Sequence, residues 1–259
     1  MLLSTRLRHA LTATAVASLF VVALAASPAA AAPTSRYPLD GVDVASWQHP
    51  NGAAIDWTRV RAAGVDFATI KATEGSPIDS TSYTNPYFPG DLAAARKAGL
   101  AVAPYHFYLG RTPHTGDDQA RYFISAARAA GYSGRRSGDL PPILDFEWDW
   151  KGGCPPYGTV ADAKAWLGQV RAAFGRTPII YTNRTFMTNC LHGSTDLGGY
   201  PLQIAYYGTA SQPPLPAGWR SWTMWQWTSS SCVAGIATCS LTRSVYGGSA
   251  TALRALANR

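Results

Sequence analysis

Ala62-Ala63-Gly64-Val65-Asp66-Phe67-Ala68-Thr69-Ile70 sets the pattern by which the chain is read. A helical stretch runs into small residues, a glycine follows, and an apolar run begins. Glycine just past a helix supplies the left-handed cap. The pattern recurs at Lys97-Ala98-Gly99 before Leu100-Ala101-Val102-Ala103-Pro104-Tyr105, at Ala129-Ala130-Gly131 before the run Leu140 to Phe146, and at Ala172-Ala173-Phe174-Gly175 before Pro178-Ile179-Ile180-Tyr181. Near-continuous apolar runs are the mark of parallel strands buried on both faces.

Working outward, the sequence predicts strands near 41–45, 66–71, 101–107, 142–147 and 178–182, with helices between them. Asp56 is placed to cap a helix over 57–63 and Thr159 one over 160–174. After residue 182 the helices fade, and strand-like runs remain at 202–207, 222–227 and near 240–246. Five βα units and three further strands suffice to close an α/β, TIM-like barrel of the (β/α)5(β)3 type. The rival is an open doubly wound sheet. No G-x-G-x-x-G and no phosphate loop supports nucleotide use.

Composition limits the function classes. Of 259 residues 47% are apolar and 14% charged, which excludes a disordered chain, a coiled coil and a collagen. Residues 1–32 have a secretory layout: basic Arg6, Arg8 and His9, an apolar run from about Leu11 to Ala26, then a small-residue stretch cut near Ala31 or Ala32. The run is short for a membrane span. The expectation is an exported, extracellular protein with no membrane anchor, a single barrel domain over 33–259 and no appended wall-binding module. Without the leader, 20 basic residues face 15 acidic ones. A basic secreted protein suits an anionic wall or nucleic acid, but the charge alone reads equally as a soluble arginine-rich surface, and with no basic run longer than two residues no nucleic-acid partner is expected. A monomer is the default.

The four cysteines, Cys154, Cys190, Cys232 and Cys239, suggest two disulfides in an exported chain. Three pairings are possible. Cys154–Cys190 with Cys232–Cys239 is preferred, because each pair joins neighbouring loops of the barrel. No C-x-x-C, no H-E-x-x-H and no metal-type histidine spacing occurs, so no metal and no cofactor are expected.

In a parallel barrel, active residues sit where strands end. Those ends carry Asp43, Glu74, His106, Asp145, Glu147, Tyr181, Tyr206 and Gln226, and Glu74 and Glu147 are the chain's two glutamates. Pro142-Ile143-Leu144-Asp145-Phe146-Glu147 is the sharpest signal. Strand alternation puts Asp145 and Glu147 on one side, about 6–7 Å apart along the chain. Paired carboxylates resist ionising together, so one stays an acid beside a charged partner, as glycosidic cleavage requires. The plainer reading is a pair of carboxylates serving as caps or salt-bridge partners. His106 reads equally as a satisfied barrel histidine. Aromatic residues crowd the strand ends, among them Trp47, Tyr105, Tyr206, Tyr207 and Trp225, and flat rings stack on sugar faces. Phe107 and one of Trp225 or Trp227 read as core.

These segments resemble the family 25 glycoside hydrolases, the Chalaropsis-type lysozymes. The matching stretches are Gly41-Val42-Asp43-Val44-Ala45-Ser46-Trp47-Gln48, Ile70-Lys71-Ala72-Thr73-Glu74-Gly75, Tyr105-His106-Phe107, Asp145-Phe146-Glu147, Ile180-Tyr181-Thr182, Ala205-Tyr206-Tyr207-Gly208 and Trp225-Gln226-Trp227, in the family's order. The resemblance implies a muramidase that hydrolyses the β-1,4 bond between N-acetylmuramic acid and N-acetylglucosamine in peptidoglycan, with retention. It implies Glu147 as general acid and Asp145 as its partner. Asp43, Glu74, Tyr105, Tyr181, Tyr206 and Gln226 become substrate-binding residues. Two positions depart from the family. Ser240 stands where an Asp is usual on the last strand, and Gln203 where an aromatic residue is frequent. A glycan-binding barrel with impaired catalysis is therefore the alternative.

Overall fold

The structure, a computed structural model, describes residues 33–149, 151–208 and 210–258. The expected leader, residues 1–32, lies outside the described residues. The strands are β1 (Asp40–Val44), β2 (Val65–Glu74), β3 (Tyr83–Thr84), β4 (Ala101–Phe107), β5 (Ile143–Asp145), β6 (Ile179–Thr182), β7 (Leu202–Ala205), β8 (Met224–Ser231) and β9 (Leu241–Tyr246). The helices are α1 (Trp57–Ala62), α2 (Phe88–Lys97), α3 (Gly116–Ala129), α4 (Val160–Phe174), α5 (Arg184–Asn189) and α6 (Ala250–Ala257).

Eight strands close a barrel in the order β1-β2-β4-β5-β6-β7-β8-β9, and β9 returns to β1. The short β3 pairs only with the end of β2. Pairings from β1 round to β8 are parallel. β9 runs antiparallel to both neighbours. A helix follows each of β1, the β2–β3 pair, β4, β5 and β6, and among the described residues none separates β7, β8 and β9. This is the expected barrel of five βα units and three strands.

The local chemistry is as read. Asp56 accepts from Arg59 N at the start of α1, and Thr159 from Asp162 N at the start of α4. Gly64, Gly99, Gly131 and Gly175 all have positive φ, between 68° and 90°, where a Cβ would be strained. One boundary differs. The predicted strand 142–147 ends at Asp145, yet Phe146 N still donates to Tyr181 O at 2.9 Å. Phe146 faces the helical layer, against Tyr108 and Phe186, and Glu147 swings back to the barrel mouth.

Two apolar layers hold the barrel. Outside it, helix residues such as Leu92, Phe123 and Trp166 pack on outward-facing Ala68, Ile70 and Leu144. Inside, Phe67, Ile143, Ile179, Met224 and Tyr246 fill the floor, and Leu253 and Ala257 of α6 join this cluster. The floor is a packed core, so the polar side chains that point into the barrel gather at its mouth. The disulfides are Cys154–Cys190 and Cys232–Cys239, with Cα atoms 5.4 and 4.2 Å apart, as preferred. Among the described residues no helix is long and apolar enough to cross a membrane.

Candidate active site

The strand ends open into a cleft of about 530 Å³, lined by Asp43, Tyr105, Asp145, Glu147, Tyr181 and Gln226 among others. Six of the eight residues expected at the site therefore meet in one cavity.

Asp43 anchors it. Its Oδ1 accepts from Thr69 Oγ1 and, at 3.0 Å, from Gln203 Nε2. Its Oδ2 accepts from Gln226 Nε2 at 3.0 Å and Ser244 Oγ at 2.9 Å. Four donors from four strands hold one buried carboxylate. Gln226 is oriented in turn, since its Oε1 accepts from Tyr181 Oη at 2.9 Å and from Tyr207 Oη. The phenols serve as donors, and burial together with nearby carboxylates pushes the pKa values of Tyr105, Tyr181 and Tyr207 up.

The Asp145–Glu147 pair is different in kind. Asp145 Oδ1 is buried with no hydrogen-bond partner among the described residues. Burial raises the Asp145 carboxyl well above its ordinary value, and repulsion by Glu147 adds to this. Burial lifts Glu147 to about 7, against a lowering by Lys71. Such a pair titrates jointly and holds one proton over a wide pH range. It has the character of an acid poised near neutrality beside a second carboxylate.

Two expected residues stand elsewhere. Glu74 does not line the cleft, and its carboxylate pairs with Lys71 Nζ. Tyr206 lines a separate surface hollow with Arg184 and Pro214, and its neighbour Tyr207 takes the place in the cleft. His106 is wholly buried on the outer side of the sheet, against Phe123 and Trp166. Its ring nitrogens bond Thr73 Oγ1 at 2.8 Å and Gln119 Oε1 at 2.9 Å. Burial drops its pKa to about 3, so it is a neutral structural histidine. Trp225 is core, its indole N–H bonded to Tyr206 O.

Trp47, one of the aromatic residues expected near the strand ends, reaches the cleft, and so do residues that strand-end reasoning does not select. Trp47 stands on the rim, 81% exposed. Thr238, Ser240 and Thr242 form a wall of hydroxyls, and Gln48 ties this wall down by donating to Ser240 O at 2.8 Å. Ser240 is thus on the cleft, at the position where the resemblance leads one to expect a carboxylate. Among the described residues no cluster of three potential metal ligands occurs.

The family model for glycosyl hydrolases family 25 matches residues 42–236, a span that includes every residue of the carboxylate pair and of the Asp43 network except Ser244. The chain belongs to glycosyl hydrolase family 25. Its relatives include Lysozyme M1 of Streptomyces globisporus, 32% identical over 87% of this chain and 74% of that protein. The N,O-diacetylmuramidase of Chalaropsis sp is 34% identical over 73% of this chain and 87% of that one. In structure, the bacterial lysozyme from Streptomyces coelicolor superposes with a TM-score of 0.73 at 30% identity, covering 85% of this chain and 97% of that chain. The chain is thus a glycoside hydrolase on a TIM-like barrel.

Proposed function

We propose that the protein is a secreted lysozyme that cleaves the β-1,4 bond between N-acetylmuramic acid and N-acetylglucosamine in peptidoglycan with net retention. The observation that carries the reading is the half-buried Asp145–Glu147 pair in the cleft, with Glu147 raised to about 7. The disulfides and the leader-like residues 1–32 support export.

Glu147 gives its proton to the glycosidic oxygen as the C1–O bond breaks. The unpartnered Oδ1 of Asp145 supports substrate assistance. It accepts the N–H of the 2-acetamido group, whose carbonyl oxygen closes on C1. Glu147, now a carboxylate, takes a proton from the water that reopens the ring. Direct attack by Asp145 on C1 is the other route, and both routes retain configuration. Asp43 and its Gln226 partner shape the sugar-binding floor, and Tyr105, Tyr181 and Tyr207 supply the ring faces and hydroxyls around it.

Ser240 favours a second reading, a glycan-binding barrel with impaired catalysis, because one cleft wall carries hydroxyls alone. Digestion of purified peptidoglycan separates the two, with products read by mass spectrometry after borohydride reduction. New reducing ends on muramic acid, lost in Glu147→Gln while wall binding persists, are the expected result. Glucosamine reducing ends overturn the bond assignment, and an inverted product anomer overturns both routes. Absence of product from well-folded protein, on acetylated and de-acetylated wall alike, overturns the enzyme in favour of the binding protein.

A further inference from the structure

The half-buried Lys71–Glu74 ion pair lies on the barrel's inner wall and takes no part in the proton transfers of the proposed mechanism. Parallel register aligns Lys71 of β2 with Tyr105 of β4 and Ile143 of β5. Tyr105 and Ile143 both line the cleft, so Lys71 belongs to the same layer. One layer higher, Glu74, Phe107, Asp145 and Tyr181 are aligned. Lys71 is the inward neighbour of Thr69, which bonds Asp43. Its Nζ pairs with Glu74 Oε2 and sits 4.9 Å from the centre of the Phe107 ring and 5.8 Å from that of Tyr83. The Lys71 and Glu74 side chains are only 13% and 23% exposed.

The groups facing this lysine are of one sign or neutral. β1 brings Asp43, β2 brings Glu74, β5 and its end bring Asp145 and Glu147, and β3, β4, β6 and the β7 end bring the phenols of Tyr83, Tyr105, Tyr181 and Tyr207; the other titratable group of β4, His106, lies on the outer side of the sheet and is held neutral by burial and by Lys71. Four carboxylates thus gather about a single cation among these residues. The lysine bonds the one that lies outside the cleft.

We propose that Lys71 and Glu74 are positioning residues that set the proton of the catalytic pair: Lys71 supplies the positive charge that lets one of Asp145 and Glu147 ionise, and Glu74 holds Lys71 aside so that it does not neutralise both. This rests on the reading of the cleft as a glycosidase site. The influence of Lys71 on both carboxyls is downward, and that of Glu74 on Asp145 is upward, as the geometry requires. A purely structural ion pair would only stiffen the end of β2 beneath the rings of Phe107 and Tyr83 and leave the proton of Glu147 unmoved.

The sequence offers a direct readout, because Glu74 and Glu147 are the only glutamates in the chain. Protein labelled with carboxyl-¹³C glutamate gives two side-chain carboxyl signals, and Glu74→Gln leaves Glu147 alone and assigned. In Lys71→Met the midpoint of Glu147 moves up by about one pH unit or more, and in Glu74→Gln, where the freed ammonium turns toward the pair, it moves down by a similar amount. Opposite movements support the proposal. A Glu147 midpoint unchanged in folded Glu74→Gln overturns it whatever the Lys71 variants do, and Lys71→Gln replaces Lys71→Met should the latter not fold. The alkaline limb of the peptidoglycan digestion profile moves with the same signs. No reducing ends from wild-type protein, together with both NMR shifts in the variants, would sink the lysozyme reading and leave the charge arrangement standing.

Discussion

Gln226 donates to Asp43 Oδ2 at 3.0 Å across the barrel mouth, joining the first strand to the eighth. The same glutamine takes the hydroxyls of Tyr181 and Tyr207 on its oxygen, so one amide locks three cleft side chains. Asp43→Ala removes the acceptor for four donors at once. An unsatisfied buried donor costs about 1–3 kcal/mol, partly recovered by water entering from the cleft. The variant is expected to lose about 3 kcal/mol of unfolding free energy in urea, together with most of its lytic activity. Stability within about 0.5 kcal/mol of wild type would show that the network is not what holds the mouth.

The carboxylate pair costs stability at neutral pH. Glu147 moves from an ordinary value of 4.5 when unfolded to about 7 when folded. Between those values the folded state binds more protons than the unfolded chain, so stability falls as pH rises through the window. The penalty is fully present above about 7 and absent below about 4.5. Glu147→Gln is therefore expected to be more stable than wild type near pH 8, by about 1–2 kcal/mol after allowance for its partial exposure, and no different near pH 4. Thermal melts at the two pH values check this, and a gain of equal size at both would refute it.

The two disulfides should differ in worth. Cys154–Cys190 spans 36 residues and Cys232–Cys239 spans 7. Loop-closure entropy assigns them about 4 and about 2.5 kcal/mol respectively. Cys154→Ser/Cys190→Ser should lower the denaturation midpoint more than Cys232→Ser/Cys239→Ser. The second pair, however, flanks Thr238 and adjoins Ser240 on the cleft wall. Its removal should raise the KM for wall fragments at little change in kcat.

Trp47 offers the cleanest test of substrate contact. It is 81% exposed on the cleft rim, so the core does not depend on it. Trp47→Ala should leave the melting temperature within a degree or two, yet weaken retention on insoluble peptidoglycan several-fold through loss of ring stacking. Unchanged retention would assign the ring no part in binding.

The barrel was legible because its signals are local: a cap, a glycine, an apolar run. The carboxylate pair was legible because both members sit within three residues of one strand end. What escaped depends on register. β2 carries an irregularity between Lys71 and Thr73, which breaks the alternation by which Glu74 would be placed. Tyr206 was selected over Tyr207 because parity along β7 needs an inward anchor; Gln203 is that anchor, and counting in twos from it reaches Tyr207. The donors to Asp43 come from 26 to 201 residues away, a distance at which no motif spacing operates.

The reversed last strand has a consequence for how this cleft can vary. Seven strands present their finishing ends to the substrate side, and β9 presents its beginning. The β8–β9 link is therefore a hairpin over the mouth instead of a crossover beneath the barrel, and it delivers Thr238, Ser240 and Thr242 directly to the cleft. Residues added to or taken from this hairpin would reshape one bank of the groove without lengthening any helix or disturbing the floor. It is the adjustable jaw of an otherwise fixed vice, and the place to graft new sugar preferences onto this scaffold.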